Sequence, residues 1–144
     1  MAAAEAFLGA AVERAPLAGV TLPGRLEARP REIRDGAHNP GGVRWLVDHL
    51  PPGDYTVVAS ILADKDVEEM LRVLATVGCR FVACTSSNPR ALAAGELAAR
   101  AGAHFDRVEA VPEPRAALAR GHALGEPVLV TGSLYLLGDL EEPS

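Results

Sequence analysis

Glu32-Ile33-Arg34-Asp35-Gly36-Ala37-His38-Asn39-Pro40 passes from a short β-like run into a helical pattern through an acid, an imidazole and a carboxamide. Gly36 opens the turn and Pro40 closes it, and proline at a first helical position is pre-organised for the helix because its missing N–H would be unpaired there anyway. The stretch reads as a ligand-gripping strand-to-helix turn. It also sets a rhythm that the rest of the chain repeats. Apolar runs at Tyr55–Ser60, Arg80–Thr85 and Pro127–Thr131 are short and rich in β-formers, as strands buried on both faces are, with a weaker one over Phe105–Val108. Helical patterns lie between and after them, at Val43–Leu50, Val67–Val77, Arg90–Ala101, Pro114–Leu124 and Leu134–Leu140. Alternation at this period implies βαβ units and a mostly parallel sheet. Leu26–Arg29 and Glu32–Asp35 flank Pro30 and are expected to pair as a tight antiparallel ribbon at one edge.

Composition bounds the class. With 144 residues the chain suits one domain with a real core. Its residues are 49% hydrophobic but only 4% aromatic, so the core is built from Ala, Val and Leu. A net charge of -5 lacks the basic face that phosphate-backbone binding requires, which argues against a nucleic-acid partner. No stretch has the length of apolar sequence needed to span a bilayer, and Met1–Ala11 lacks the basic and apolar regions of a signal peptide; a soluble, cytoplasmic protein is expected. Met1–Ala18 reads as a short amphipathic helix, followed by a linker through Gly24. Cys79 and Cys84 match neither a disulfide framework nor a zinc or CxxC pattern, and both are expected to be reduced and packed at a strand. All but one of the 14 basic residues are arginine, which singles out Lys65.

In open parallel sheets ligands bind outside the carboxyl ends of the strands. Asp35–Pro40, Ser60–Asp66, Thr85–Pro89 and Thr131–Tyr135 all follow expected strands and so fall on that one edge. Each also has a purely structural reading. Asp35 suits an Asx-type turn and His38 a capping side chain; Asp64 and Asp66 suit a first helical turn, with Lys65 a solvated charge. Ser133 suits a cap on a last helix, Ser86-Ser87-Asn88 a cap before Pro89, and Arg25 a surface charge. Convergence on one edge favours the functional reading of the first group. His49, His104 and His122 are scattered without acid or Cys at metal spacing and read as structural. There is no nucleophile elbow and no GxxxxGK[ST] phosphate loop.

Pro23-Gly24-Arg25, Asp35-Gly36-Ala37-His38-Asn39-Pro40, Leu62-Ala63-Asp64-Lys65-Asp66 and Val130-Thr131-Gly132-Ser133-Leu134-Tyr135 resemble, in order and spacing, the C-terminal domain of the folylpolyglutamate synthase and dihydrofolate synthase family of the Mur ligase superfamily. The resemblance runs from about Pro23 to Leu140. It implies a Rossmann-like three-layer α/β domain over residues 23–144, with a sheet of about six strands and one antiparallel edge strand. Residues 1–22 would be the tail of an upstream central ATPase domain, which is the expected partner within the same enzyme. The implied activity is ATP-dependent, ADP-forming addition of L-glutamate to a folate or dihydropteroate carboxylate through an acyl phosphate, with Mg2+ held by the upstream domain. By the same resemblance Arg25 reaches the ATP phosphates, Asp35 accepts hydrogen bonds from the nucleotide ribose, His38 is a catalytic or orienting group, and Lys65 and Ser133 hold the incoming glutamate; no metal ligand is implied here. The chain departs from the family at Ser60, where glycine is usual, and Gly41-Gly42 weaken the turn after Pro40. Without a phosphate loop the chain alone is expected to be inactive, and a monomer. A cell-wall Mur ligase domain and a free-standing nucleotide or amino-acid binding module are the alternatives.

Overall fold

A computed structural model describes residues 24–141. Pro23 and the expected helix over Met1–Ala18 lie outside the described residues. β1 (Glu27–Arg29) and β2 (Glu32–Arg34) pair antiparallel across Pro30 and Arg31, with Arg29 opposite Glu32. Proline removes a donor that the turn does not need, and Arg31 takes φ +59, a region that side-chain-bearing residues rarely enter. The turn is tied down by the Val128 N–H, which donates to the Arg31 carbonyl at 3.1 Å.

From β2 the chain alternates as expected. α1 (Pro40–His49) leads to β3 (Thr56–Ala59), α2 (Val67–Leu74) to β4 (Arg80–Ala83), α3 (Ala94–Ala101) to β5 (Arg107–Ala110), α4 (Pro114–Leu124) to β6 (Val128–Thr131), and α5 (Leu134–Asp139) follows. The sheet order is β1-β2-β6-β3-β4-β5, parallel except for the β1–β2 pair. Thus β6 returns to the gap between β2 and β3. β3 and β6 are buried along their whole length, whereas the edge strand β5 is half exposed. α1, α2 and α3 cover one face, packing Leu46, Met70, Leu71 and Leu97 on Val57, Phe81 and Leu129. α4 and α5 cover the other, with Ala117, Leu136 and Leu137 on Val58, Val82 and Val130. The domain is therefore a three-layer α/β unit with a six-stranded sheet.

Four local expectations are corrected. α1 begins at Pro40, the first helical position that proline suits, rather than at Val43 where the apolar pattern starts, because the Asn39 side chain accepts from the Gly42 N–H at 2.8 Å and offsets the weakness of Gly41-Gly42. α3 begins at Ala94 rather than Arg90, because Arg90 lies in a turn, Leu62 and Ala91 form a bridge, and the Thr85 hydroxyl, not Ser86-Ser87-Asn88, receives the Ala94 N–H. Cys84 is buried, and burial pushes its thiol up to about 12, but Cys79 is exposed. β5 also lies slightly later than expected, because Phe105 is buried with its ring tilted against that of Phe81, centroids 4.8 Å apart, instead of joining the ladder.

Gly132 sits where β6 turns into α5 with φ +106, and a Cβ there would collide with the Ser60 carbonyl oxygen. In α3, by contrast, a Cβ on Gly95 would meet nothing within 4 Å. Gly132→Ala is therefore expected to destabilise the chain by about 3 kcal/mol, and Gly95→Ala to stabilise it by about 0.5 kcal/mol. Urea denaturation of the two variants checks the pair, and equal midpoints would contradict the backbone geometry assigned to Gly132.

Candidate functional site

Because β2, β6, β3 and β4 are adjacent and parallel, the loops after them form one belt along the carboxyl edge of the sheet. The belt is stitched by main-chain hydrogen bonds. The Asp35 N–H donates to the Val130 carbonyl at 2.9 Å, and the Gly132 N–H donates to the Ala37 carbonyl at 3.0 Å, joining the β2 and β6 loops. The Ala63 N–H donates to the Arg90 carbonyl at 2.7 Å, and the Leu92 N–H to the Ile61 carbonyl at 3.0 Å, joining the β3 and β4 loops. Gly132 against Ser60 closes the remaining gap.

Asp35 is the centre of the β2 loop. It is only 2% exposed. Its Oδ1 accepts from the Ala37 N–H at 2.9 Å, forming the expected Asx-type turn, while its Oδ2 accepts from the Leu26 N–H at 3.0 Å. Burial pushes the carboxyl above its ordinary 3.8, and the two N–H donors and the charge of Arg25 only partly oppose that shift. The second bond reaches back across the hairpin to a strained segment. Gly24 has φ +79 and Leu26 φ +45, and the Gly24 carbonyl also accepts from the Gly36 N–H at 2.6 Å. Asp35 and Gly36 thus clamp the backbone on both sides of Arg25.

Arg25 is exposed, and its guanidinium carbon lies 4.6 Å from the centroid of the Trp45 ring. No carboxylate among the described residues holds it, although most arginines of the chain meet one, as Arg34 meets Glu32 and Arg90 meets Asp64. Lys65 shares that condition. It stands in a turn whose N–H donates to the Leu62 carbonyl at 3.2 Å, while its acidic neighbours are engaged elsewhere, Asp64 with Arg90 at 2.7 Å and Asp66 as the cap of α2. Asp66 thus takes the helix-start role read for it, whereas Asp64 lies before α2 and is tied up by Arg90 instead, and the lysine between them is half-buried without an ion pair among the described residues.

His38 is exposed, and its Nδ1 lies 3.0 Å from the Gly36 carbonyl. A carbonyl can only accept, so Nδ1 carries the proton and Nε2 is left as an acceptor. Ser133 is 2% exposed and caps α5, its Oγ accepting from the Tyr135 N–H at 3.0 Å. The structure brings Arg25, Asp35 and His38 into one turn and sets the Ser133 loop against it. Lys65 lies on the adjoining β3 loop, and no hydrogen bond or ion pair joins it to the others.

Trp45 is not among the residues the sequence reading singles out, and Leu134 and Tyr135 enter it only as parts of longer segments. Trp45, Leu134 and Tyr135 are the exposed large hydrophobics among the described residues, at 38%, 56% and 54%, and Leu134 packs over Gly24 and Gly36. Trp45 was findable, since it falls off the stripe formed by Val43 and Leu46 that α1 buries. Ser86 and Thr131 also keep buried hydroxyls without partners at the same edge. The remaining histidines are structural, as read: His104 meets Glu68, and His122 lies 2.7 Å from both Glu32 and Glu126. At the opposite, amino edge a shallow groove of about 440 Å³ is lined by Gly53, Asp54, Gly78, Cys79, His104 and Asp106. None of the candidate residues lines it, and the strand ends there lack the loop convergence of the carboxyl edge.

Residues 24–134 match the family described as Mur ligase, glutamate ligase domain. The chain is 38% identical over 135 residues to a dihydrofolate synthase/folylpolyglutamate synthase of Mycobacterium tuberculosis, covering 82% of this chain and 28% of that protein. Among solved structures, the Mycobacterium tuberculosis folylpolyglutamate synthase complexed with ADP and AMPPCP superposes with a TM-score of 0.77 at 31% identity, over 88% of this chain and 34% of the other. A bifunctional folylpolyglutamate synthase/dihydrofolate synthase of Yersinia pestis complexed with AMPPNP and Mn gives a TM-score of 0.70 at 27% identity, over 81% and 30%. The chain thus spans about a third or less of the length of these relatives. With its sheet order, its carboxyl-edge belt and this match over most of its length, the chain belongs to the Mur ligase, glutamate ligase domain family.

Proposed function

We propose that this chain is the C-terminal domain of an ATP-dependent, ADP-forming ligase that joins L-glutamate to a folate or dihydropteroate carboxylate, and that it supplies part of the nucleotide and glutamate sites. The observation that carries this reading is the pair of cations on the carboxyl-edge belt, Arg25 and Lys65, that no carboxylate among the described residues holds, in a chain whose net charge is -5. The complexes of its relatives with ADP, AMPPCP and AMPPNP supply the ligand chemistry for this reading.

A free carboxylate is a poor electrophile, so the acceptor first takes the γ-phosphoryl group of ATP, releasing ADP. The glutamate amine then displaces phosphate from the acyl phosphate, forming the amide and losing its proton. Arg25 neutralises charge on the phosphates through a planar fork of donors. Lys65 faces the glutamate carboxylate as a point charge, and Ser133 adds a hydroxyl donor whose acceptor side is already used by Tyr135 N–H. His38, with Nε2 as its free acceptor, orients the incoming amine. Asp35 accepts from the ribose with the lone pairs that Leu26 and Ala37 leave, and it holds the Arg25 segment in place at the same time. Among the described residues no cluster of His, Cys, Asp or Glu could hold a metal ion. In this reading the Mg2+ site and the phosphate loop belong to the upstream domain, as the family resemblance implies.

In a polypeptide joining this domain to its upstream ATPase domain, Arg25→Ala should lower kcat/KM for ATP at least about tenfold, the scale of a lost charge-assisted hydrogen bond. Lys65→Gln should raise KM for glutamate by about as much while leaving that for ATP unchanged. Unchanged constants in a steady-state ADP-release assay would remove those two assignments, and ATP hydrolysis by the 144-residue chain alone would refute the division of labour. Asp35 gives a pH test. Its folded-state pKa is raised, so its contribution to stability is fully present below 3.8 and is lost as pH rises through the higher folded value. The stability of the native chain relative to Asp35→Asn should therefore fall as pH rises from about 3 to 7. A urea series in which that difference grows with pH would show that the clamp, not burial, dominates the carboxyl.

A further inference from the structure

Arg25 is held differently from the arginines that meet a carboxylate. Arg34 lies on Glu32 at 2.6 Å and Arg120 on Glu109 at 2.7 Å, whereas the partner of Arg25 is an aromatic face, with the guanidinium carbon 4.6 Å from the Trp45 centroid. The indole is braced in turn. The His49 ring stacks on it at 4.0 Å and 19° from parallel, and His49 Nδ1 donates to the Trp45 carbonyl at 2.7 Å. Trp45 contributes little to the core, since α1 buries Val43 and Leu46 and leaves the indole 38% exposed. A large aromatic on the outer face of a helix is explained here by what it carries.

The physical consequence concerns competition. A flexible cation on an acidic protein tends to collapse onto a nearby carboxylate, as most arginines of this chain do, and is then unavailable to a ligand. A π face attracts the guanidinium without occupying its N–H donors, and the attraction is weaker than a charge-assisted hydrogen bond to an anionic oxygen. With its backbone clamped by Asp35 and Gly36 and its tip resting on an aromatic face, Arg25 keeps its full fork of donors free.

We propose that Trp45 is a positioning residue for Arg25, an aromatic rest that keeps the guanidinium extended and unpaired so that it can meet the phosphates of the nucleotide. This rests on the reading of Arg25 as a phosphate contact. The test uses the 144-residue chain with inorganic triphosphate as the probe, followed by NMR through the Arg25 Nε–H signal, the indole N–H of the single tryptophan and the backbone amides. Trp45→Leu is expected to weaken binding about threefold, the scale of an exposed cation–π contact, and Trp45→Phe by less than about twofold because the face is retained. In an Arg25→Ala background Trp45→Leu should weaken binding no further. If Trp45→Leu weakens binding by the same factor with Arg25 absent, or has no effect with Arg25 present, the positioning role is wrong while Arg25 keeps its assignment. Triphosphate binding that is indifferent to Arg25→Ala, or no saturable binding by the unmodified chain, removes the phosphate role of Arg25 and the proposal with it.

Discussion

The Asp35 carboxylate, buried between two backbone N–H groups, is the interaction on which the site depends. One oxygen fixes the turn that starts α1, and the other reaches the N–H of Leu26 nine positions back. That second bond holds Leu26 at a positive φ and, with the Gly36–Gly24 bond, sets the position of Arg25. Burying a carboxylate costs free energy unless it is well paired. Here the residual cost shows as a carboxyl raised above 3.8 despite its two donors. Strain and buried charge gathered in one loop are what a binding site requires of a scaffold that is otherwise apolar and regular.

The scaffold places that loop. Because β6 inserts between β2 and β3, the turn after β2 meets the turn after β6, and the turn after β6 meets the loop after β3. Gly132 makes the last contact feasible, and its position explains why Ser60, where the resemblance leads one to expect glycine, is accommodated: its side chain is turned to the Ser86 N–H at 2.9 Å. Arg25, His38, Lys65 and Ser133 come from separate stretches of sequence, and the belt arranges them along one edge.

How much of this was legible follows from the range of each interaction. The alternation of strands and helices, the antiparallel ribbon at Pro30 and the Asx turn of Asp35 onto Ala37 are local, and local pattern carries them. The start of α1 is local too, since Asn39 onto Gly42 spans only three residues and Pro40 marks the first helical position, although the apolar pattern itself starts at Val43. The start of α3 was illegible, since the main chain of residues 90–92 is bound by partners at 61–63. Likewise the Asp35 bond to Leu26 and the Arg25 contact with Trp45 join residues that only the hairpin and α1 bring together. The order of the four motifs identified the family, yet it could not show that Asp64 and Asp66 are engaged while Lys65 is not.

The central claim is that ligands meet this domain at its carboxyl edge, on the belt organised by Asp35. Mapping backbone amide shifts of the chain on addition of ADP tests it most directly. The account predicts perturbations concentrated at residues 24–26, 35–39 and 132–135. Perturbations concentrated instead at the amino-edge groove, around Asp54, Gly78, Cys79 and Asp106, would contradict it.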